Sequence, residues 1–360
     1  MYRLRRQIWI ESKPQSIPVD LIRVVAIVLV IMLHAAIEPH PIVTEITQAE
    51  VWRWWTVNIY NSLARPCVPL FIMLSGSLLL SPSKVEPLGT FFKKRLSRVA
   101  LPFVFWGVAY FVWRFLVNDE AFAYSSIVQG INTGPYYHFW FLYMLVGLYL
   151  ITPILRVLVA NSERKLLKYF LIVWFFGTAI VPILSLQSSF SIDSNLFVIV
   201  GYVGYFLLGE YLKTVKLQTS HLHVFLFIGW ISTMAGTYFI TAAIGGLSSY
   251  FFYDYLSVNV ILASIALFML LRRVPSSWPE KFSNRGKWLI HEIGKNTLPI
   301  YLLHVMVLEA FQKGFFGFTI SVNTMNPAIE IPLITGLTLF VCLGIVLPLK
   351  KIPFVQKLIG

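Results

Sequence analysis

The feature that most constrains this chain is a series of ten apolar runs, most of them close to the length a helix needs to cross a bilayer. They lie at Leu21 to Ile37, Val57 to Leu80, Val99 to Val117, His138 to Val159 and Leu167 to Leu186, then at Leu196 to Leu212, Leu222 to Ile244, Leu256 to Leu271, Thr297 to Phe318 and Ile331 to Leu349. The hydrocarbon core of a membrane takes ~20 helical residues to span. The pattern predicts an all-α, polytopic integral membrane protein of about ten transmembrane helices. Composition agrees: 57% of residues are hydrophobic and 12% charged, the latter about half the share usual in a soluble domain. Mean hydropathy is +0.73. These values exclude an ordinary cytosolic enzyme, a disordered chain and a disulfide scaffold. No stretch between the runs is long enough for a second domain, so residues 1–360 read as one membrane-embedded domain, with 1–19 and 350–360 as tails.

The net charge of +13 raises the question of nucleic acid, and its distribution answers it. Basic residues cluster in alternate loops: Arg3, Arg5, Arg6 and Lys13; Lys84, Lys93, Lys94, Arg95 and Arg98; Arg156, Arg164, Lys165 and Lys168; Lys213 and Lys216. The series continues with Arg272, Arg273, Lys281, Arg285, Lys287 and Lys295, then Lys350, Lys351 and Lys357. The intervening loops hold only Arg53 and Lys313, or none, as at Asp119, Asp193 and Asp254. By the positive-inside rule both termini are cytoplasmic. The excess charge is a topology signal and a contact for anionic membrane lipid, so no nucleic-acid partner is expected. The first apolar run follows a polar, basic stretch and has no small-residue cleavage site after it, so it does not read as a cleaved signal. The chain is expected in a prokaryotic cytoplasmic membrane. Cys67 and Cys342 sit in apolar runs without partners at ligand spacing, so neither a structural disulfide nor a metal site is expected.

Arg23, Arg65 and Arg114 lie in or near spans, where charges are costly and face a protein interior or a wet cavity. Arg23 and His34 are eleven residues apart, which at ~100° per residue returns to within about 20° of the starting direction. They share a helix face and are separated by roughly 16 Å along the axis. Asp20, one turn before Arg23, is placed to pair with it. The spacing suits a long ligand with an anionic group at Arg23 and a reactive end at His34, and a phosphopantetheine arm has about that reach. Arginine engages two phosphate oxygens at once. An imidazole in an apolar run is favoured in its neutral form, which leaves a lone pair for use as a base. The structural alternative is a snorkelling Arg and a core His bonded to a backbone carbonyl.

The run Asp20-Leu-Ile-Arg23 through Leu33-His34 resembles the opening signature of the membrane-bound acyltransferase-3 family, an Arg and a His with ten residues between. Arg65-Pro-Cys-Val-Pro-Leu-Phe-Ile-Met-Leu-Ser75-Gly76 resembles the family's second span. Phe91-Phe-Lys-Lys-Arg95-Leu-Ser-Arg98 with Pro102 resembles its Arg-x-x-Arg opening of the third, and His138-Phe-Trp140-Phe-Leu-Tyr143 its fourth. Tyr301-Leu-Leu-His304 resembles its late Tyr-Leu-x-His segment. Each motif alone is weak; five in order along nearly the whole chain are strong. The resemblance implies an acyl-CoA-dependent O-acyltransferase that moves an acyl group, usually acetyl from acetyl-CoA, onto hydroxyls of surface glycans or glycolipids. The layout is similar to the stand-alone O-acetyltransferases, including the branch acting on enterobacterial common antigen. No metal is implied.

With that resemblance, Arg23, Arg95 and Arg98 are assigned to the donor phosphates and His34 to the base, with an acyl-histidine intermediate as an open alternative. Arg65 reads either as an oxyanion or carboxylate partner, or as an ion pair with Glu309 or Glu38. His304 reads as a group orienting the base or acceptor, or as a packed histidine. Tyr136, Tyr137, His138 and Trp140, with Trp52, Trp54 and Trp55, read as an interfacial aromatic belt or as a sugar-stacking wall. Glu210 is expected to pair with a basic residue. The rival function is a transporter or flippase of an anionic or lipid-linked substrate, which buried Arg and His would also suit. Transporter halves often repeat one another, and the Arg-to-His signature has no counterpart in the second half.

Overall fold

Helix accounts for most of the described residues, and no strand occurs among them. The computed structural model describes residues 18–36, 48–81, 86–118, 120, 124–185, 201–243, 246–275, 277–320 and 324–360. The expectations placed on the basic residues before position 18, and on Glu38, Lys84, Asp119 and Asp193, fall outside these. Among the described residues seven helical stretches are long and apolar enough to cross a membrane. They are Glu50–Leu79, Leu88–Val117, Tyr124–Asn161, Arg164–Ile183, Thr219–Ala243, Tyr250–Arg272 and Pro327–Leu349. The remaining sequence runs fall on shorter helices.

The first of these short helices, α1 (Val19–Ala35), is the hub of the fold. It packs against α2 (Gln48–Ala64), α3 (Cys67–Leu79), α12 (Asn284–Lys295), α13 (Thr297–Gln312) and α14 (Pro327–Leu349). The next run, read from sequence as one span from Val57 to Leu80, begins earlier and is broken at Arg65 and Pro66. Proline has no N–H to donate and its ring collides with the preceding turn, so the helix stops and restarts. Pro69 then falls in the first turn of α3, where a missing N–H costs little. The break leaves Arg65 at a corner rather than mid-helix.

The third span is longer than the sequence suggests. Helix α4 runs Leu88–Val117, 30 residues, or ~45 Å against a hydrocarbon thickness of ~30 Å. Arg95 and Arg98 therefore stand within the helix, on the part that overhangs the apolar stretch. The outer face of α4 carries Val104, Val108, Val112 and Leu116, all exposed and spaced by four, a stripe that suits lipid rather than water. A short helix α5 (Tyr124–Thr133) leads through Gly134 and a 3-10 turn at Tyr137–Phe139 into α6 (Trp140–Asn161). Helix α7 (Arg164–Phe175) continues through a π turn at Phe176–Ile180 into α8 (Val181–Ser185).

Helix α9 (Gly201–Tyr211) lies directly on α3. A Cβ on Gly76 would sit 1.8 Å from the Phe206 carbonyl oxygen, and one on Gly209 would sit 1.9 Å from that of Met73. The two backbones touch because both positions lack a side chain. Glu210 pairs with Lys213 at 2.5 Å, as its sequence position suggested. Helices α10 (Thr219–Ala243) and α11 (Val258–Arg272) form an adjoining pair, and α15 (Pro353–Ile359) folds back onto α4.

Candidate active site

Helices α1 and α13 run side by side and in the same direction, which brings His34 and His304 together. Their ring centroids are 5.0 Å apart. His304 is wholly buried, while His34 keeps partial exposure. His304 Nδ1 donates to the Tyr301 carbonyl of its own helix, so its Nε2 carries the lone pair, and that atom has no partner. His34 Nδ1 is likewise buried without a partner. A buried polar atom left unbonded costs about 1–3 kcal/mol, so two such nitrogens on neighbouring rings mark a place that suits an entering polar group.

Below the pair, toward the Arg23 end of α1, lies a cavity of ≈ 1010 Å³. Phe71, Phe141 and Tyr301 line its deep part, with Phe141 and Tyr301 ring centroids 5.2 Å apart. Tyr301 is in turn 5.5 Å from the His304 ring, so the cavity ends one aromatic layer short of the histidines. Its wide end holds Arg23, Arg98, Lys295, Lys350 and Lys357. The structure thus brings Arg23 and Arg98 into one space, with His34 at the other end of α1. Tyr149, which sequence reasoning missed, lines the same space within electrostatic reach of Arg23, Arg95 and Arg98.

Two expectations about this end are corrected. Asp20 stays within electrostatic reach of Arg23 but makes its direct contact with His291 Nδ1 of α12, at 3.1 Å. A residue one turn away competes with any helix packed alongside, and α12 packs there. Arg95 does not share the cavity with Arg98. Three residues on a helix leave a ~60° difference in direction, and Arg95 lies against the Phe91 ring, 5.6 Å away. Arg156 covers the same ring at 4.7 Å and lies 4.0 Å from Glu86, which also holds Lys94 at 2.7 Å. The Lys94 hydrogen bond, with the nearby positive charges, keeps the Glu86 carboxyl below its usual range.

At the other end of α1, Tyr137 sits over His34 with ring centroids 5.2 Å apart. Tyr137 is 52% exposed, whereas His138 next to it is 1% exposed. His138 is therefore no part of an open stacking wall; it packs between Tyr110, Tyr301 and His304. Trp140 also turns inward, 5.7 Å from both Tyr202 and Tyr255. Of Tyr137, His138 and Trp140, only Tyr137 combines exposure with contact to the histidine pair. The turn that presents it needs Gly134, whose φ of +102° lies in the region that favours glycine.

Glu309 anchors this turn. Its carboxyl accepts from the Tyr136 hydroxyl and from Trp113 Nε1 at 2.7 Å. Asn118 Nδ2 donates to the Tyr136 hydroxyl at 3.1 Å, and Lys313 Nζ donates to Asn118 Oδ1 at 2.8 Å. The Arg65–Glu309 ion pair is thereby excluded. Arg65 instead donates to the Tyr253 carbonyl at 3.1 Å and to Asn61 Oδ1, and lies 4.2 Å from the Tyr253 ring centre. Asn61 holds the Ala36 carbonyl just past His34, at 3.4 Å. The charge is spread over an amide, a carbonyl and an aromatic face, a stable substitute for a carboxylate. Arg65 remains within electrostatic reach of His34. The signal for the Glu309 network was in the sequence: an acid within an apolar run needs partners, though not which ones. Among the described residues no three His, Cys, Asp or Glu side chains converge as metal ligands, and both cysteines are free and buried.

Fold and site together define a multi-pass helical membrane protein with a basic cavity leading toward a histidine pair. A family model described as an acyltransferase domain matches residues 18–347, and the chain belongs to that family. It is a membrane acyltransferase. Neither the curated proteins nor the solved structures searched yield a match.

Proposed function

We propose that the chain carries an acyl group, acetyl by the family resemblance, from an acyl-CoA on the cytoplasmic side to a hydroxyl of a glycan or glycolipid reaching the site from the opposite side. The observation that carries this reading is the cavity: Arg23 and Arg98 open onto its wide end, and its deep end approaches His34 and His304. The donor diphosphate rests on the two guanidiniums. The pantetheine arm lies along α1, whose roughly 16 Å between Arg23 and His34 matches its reach. Phe71, Phe141 and Tyr301 must separate for the thioester to pass.

His34 takes the proton of the acceptor hydroxyl, whose oxygen attacks the thioester carbonyl. The carbon–sulfur bond breaks, and the thiolate leaves with that proton from His34. His304 holds His34 in place, and Tyr137 closes over it on the acceptor side. Arg65, close behind, offsets the negative charge developing on the carbonyl oxygen.

The test follows acetyl-CoA binding by calorimetry and CoA-thiol release by a thiol reagent, on purified protein in nanodiscs. Wild type should bind and release thiol; His34→Ala should bind with no release. Full release from His34→Ala would overturn the base assignment. Absence of binding to the folded wild type would overturn the donor and favour the transport reading.

A further inference from the structure

The wide end of the cavity carries more positive charge than a diphosphate needs. Arg23 comes from α1 and Arg98 from α4. The same space is lined by Lys295 at the end of α12, Lys350 just past α14 and Lys357 on α15. The one acidic side chain among the described lining residues is Asp20, and it is taken by His291. Among the described residues no carboxylate side chain forms an ion pair with any of the three lysines. Glu292 is near Lys350, but it accepts from the Asn296 side chain at 3.1 Å.

Cytoplasmic lysines that serve topology alone spread into water, where repulsion is screened. These three come from separate parts of the chain and line one cavity, with Lys295 and Lys357 at its exposed rim. Lys350 is half-buried; burial first, then the Lys295 charge, holds its ammonium below the ordinary lysine value. Like charges gathered at a cavity mouth, outnumbering the nearby carboxylates Asp20 and Glu292, are a site prepared for a multivalent anion. The chemistry of the two kinds of cation differs. Planar guanidiniums suit the paired oxygens of a diphosphate. Ammoniums, each with three rotatable donors, suit the three terminal oxygens of a phosphomonoester, which carries close to two negative charges at neutral pH.

We propose that Lys295, Lys350 and Lys357 form a phosphomonoester subsite that reads the 3′-phosphate of coenzyme A, separate from the arginines that hold its diphosphate. The inference rests on the donor reading above. It makes the enzyme selective for complete CoA thioesters over those lacking that phosphate. An anionic lipid headgroup offers the same phosphate chemistry, so the test separates the two sources.

Binding of acetyl-CoA and of acetyl-dephospho-CoA is measured by calorimetry in phosphatidylcholine nanodiscs. Wild type should prefer acetyl-CoA by about tenfold or more, the value of one charge-assisted hydrogen bond. In K295A/K350A/K357A the ratio should fall to near one with the dephospho affinity unchanged, which also shows that the variant is folded. Lys350→Arg should retain the preference, because it keeps the charge. Retention of the full ratio in the triple variant, or equal binding of both ligands by wild type, would overturn the subsite while leaving the donor reading intact. If wild type bound neither ligand, the donor reading itself would fall. The preference should survive in nanodiscs containing phosphatidylglycerol; its loss there would assign the lysines to lipid headgroups.

Discussion

Glu309 is the place where a remote substitution should damage catalysis without touching donor binding. Its carboxyl receives the Tyr136 hydroxyl and Trp113 Nε1, and through Tyr136 it fixes the turn that lays Tyr137 on His34. In Glu309→Gln one side-chain oxygen is replaced by a donor amide. That amide can accept from neither Tyr136 nor Trp113, so one of the two bonds is lost. A hydrogen bond to a charged group contributes ~1.5–3 kcal/mol. If that energy holds the productive position of Tyr137, the rate should fall by between about ten- and a hundredfold, at ~1.4 kcal/mol per decade. Glu309→Ala removes both bonds and should fall further. The donor mouth lies at the far end of α1, so the affinity for acetyl-CoA should stay within twofold of wild type, about 0.4 kcal/mol. The assay is CoA-thiol release with an acceptor glycan, run beside calorimetric donor binding on the same nanodisc preparation. Unchanged turnover in folded Glu309→Ala would refute the positioning role. Equal losses in turnover and donor affinity would show a general structural effect instead.

Other outcomes follow from the same geometry. Arg98→Ala should raise the apparent donor KM by about tenfold, as expected for a lost charged contact, while Arg95→Ala should change it far less, because only Arg98 faces the cavity; equal effects in a steady-state titration would refute that division. Gly76→Ala puts a methyl 1.8 Å from the Phe206 carbonyl oxygen, so α3 and α9 must part. Overpacking of this kind costs ~1–3 kcal/mol or more, and thermal unfolding in detergent should show a clear drop. Gly89→Ala, with nothing within 4 Å, is the control and should leave the transition in place; an equal transition in both variants would sink the close-packing argument.

The helical fold and the Arg23–His34 axis were both legible in the sequence, for related reasons. Apolar runs of bilayer length leave the backbone little choice, since every polar backbone group must bond within the segment. The 3.6-residue period then sets which residues of a helix lie on one side, and by that period Arg23 and His34 do. The family motifs added His304, which does meet His34. The break at Arg65 was also written locally, in Pro66, although the long run concealed it.

Pairing between helices was not legible. Asp20 chose His291, 271 positions away, over Arg23 on its own helix. Glu309 took Tyr136, 173 positions away, and left Arg65 to Tyr253, 188 positions away. His138 and Tyr137 are neighbours in sequence, yet one is sealed and the other open. Helical periodicity and hydropathy act within a segment, and they settled what kind of chain this is and which residues of α1 look the same way. Which polar group answers which depends on how rods from distant parts of the chain lie against one another, so only the tertiary structure could decide it.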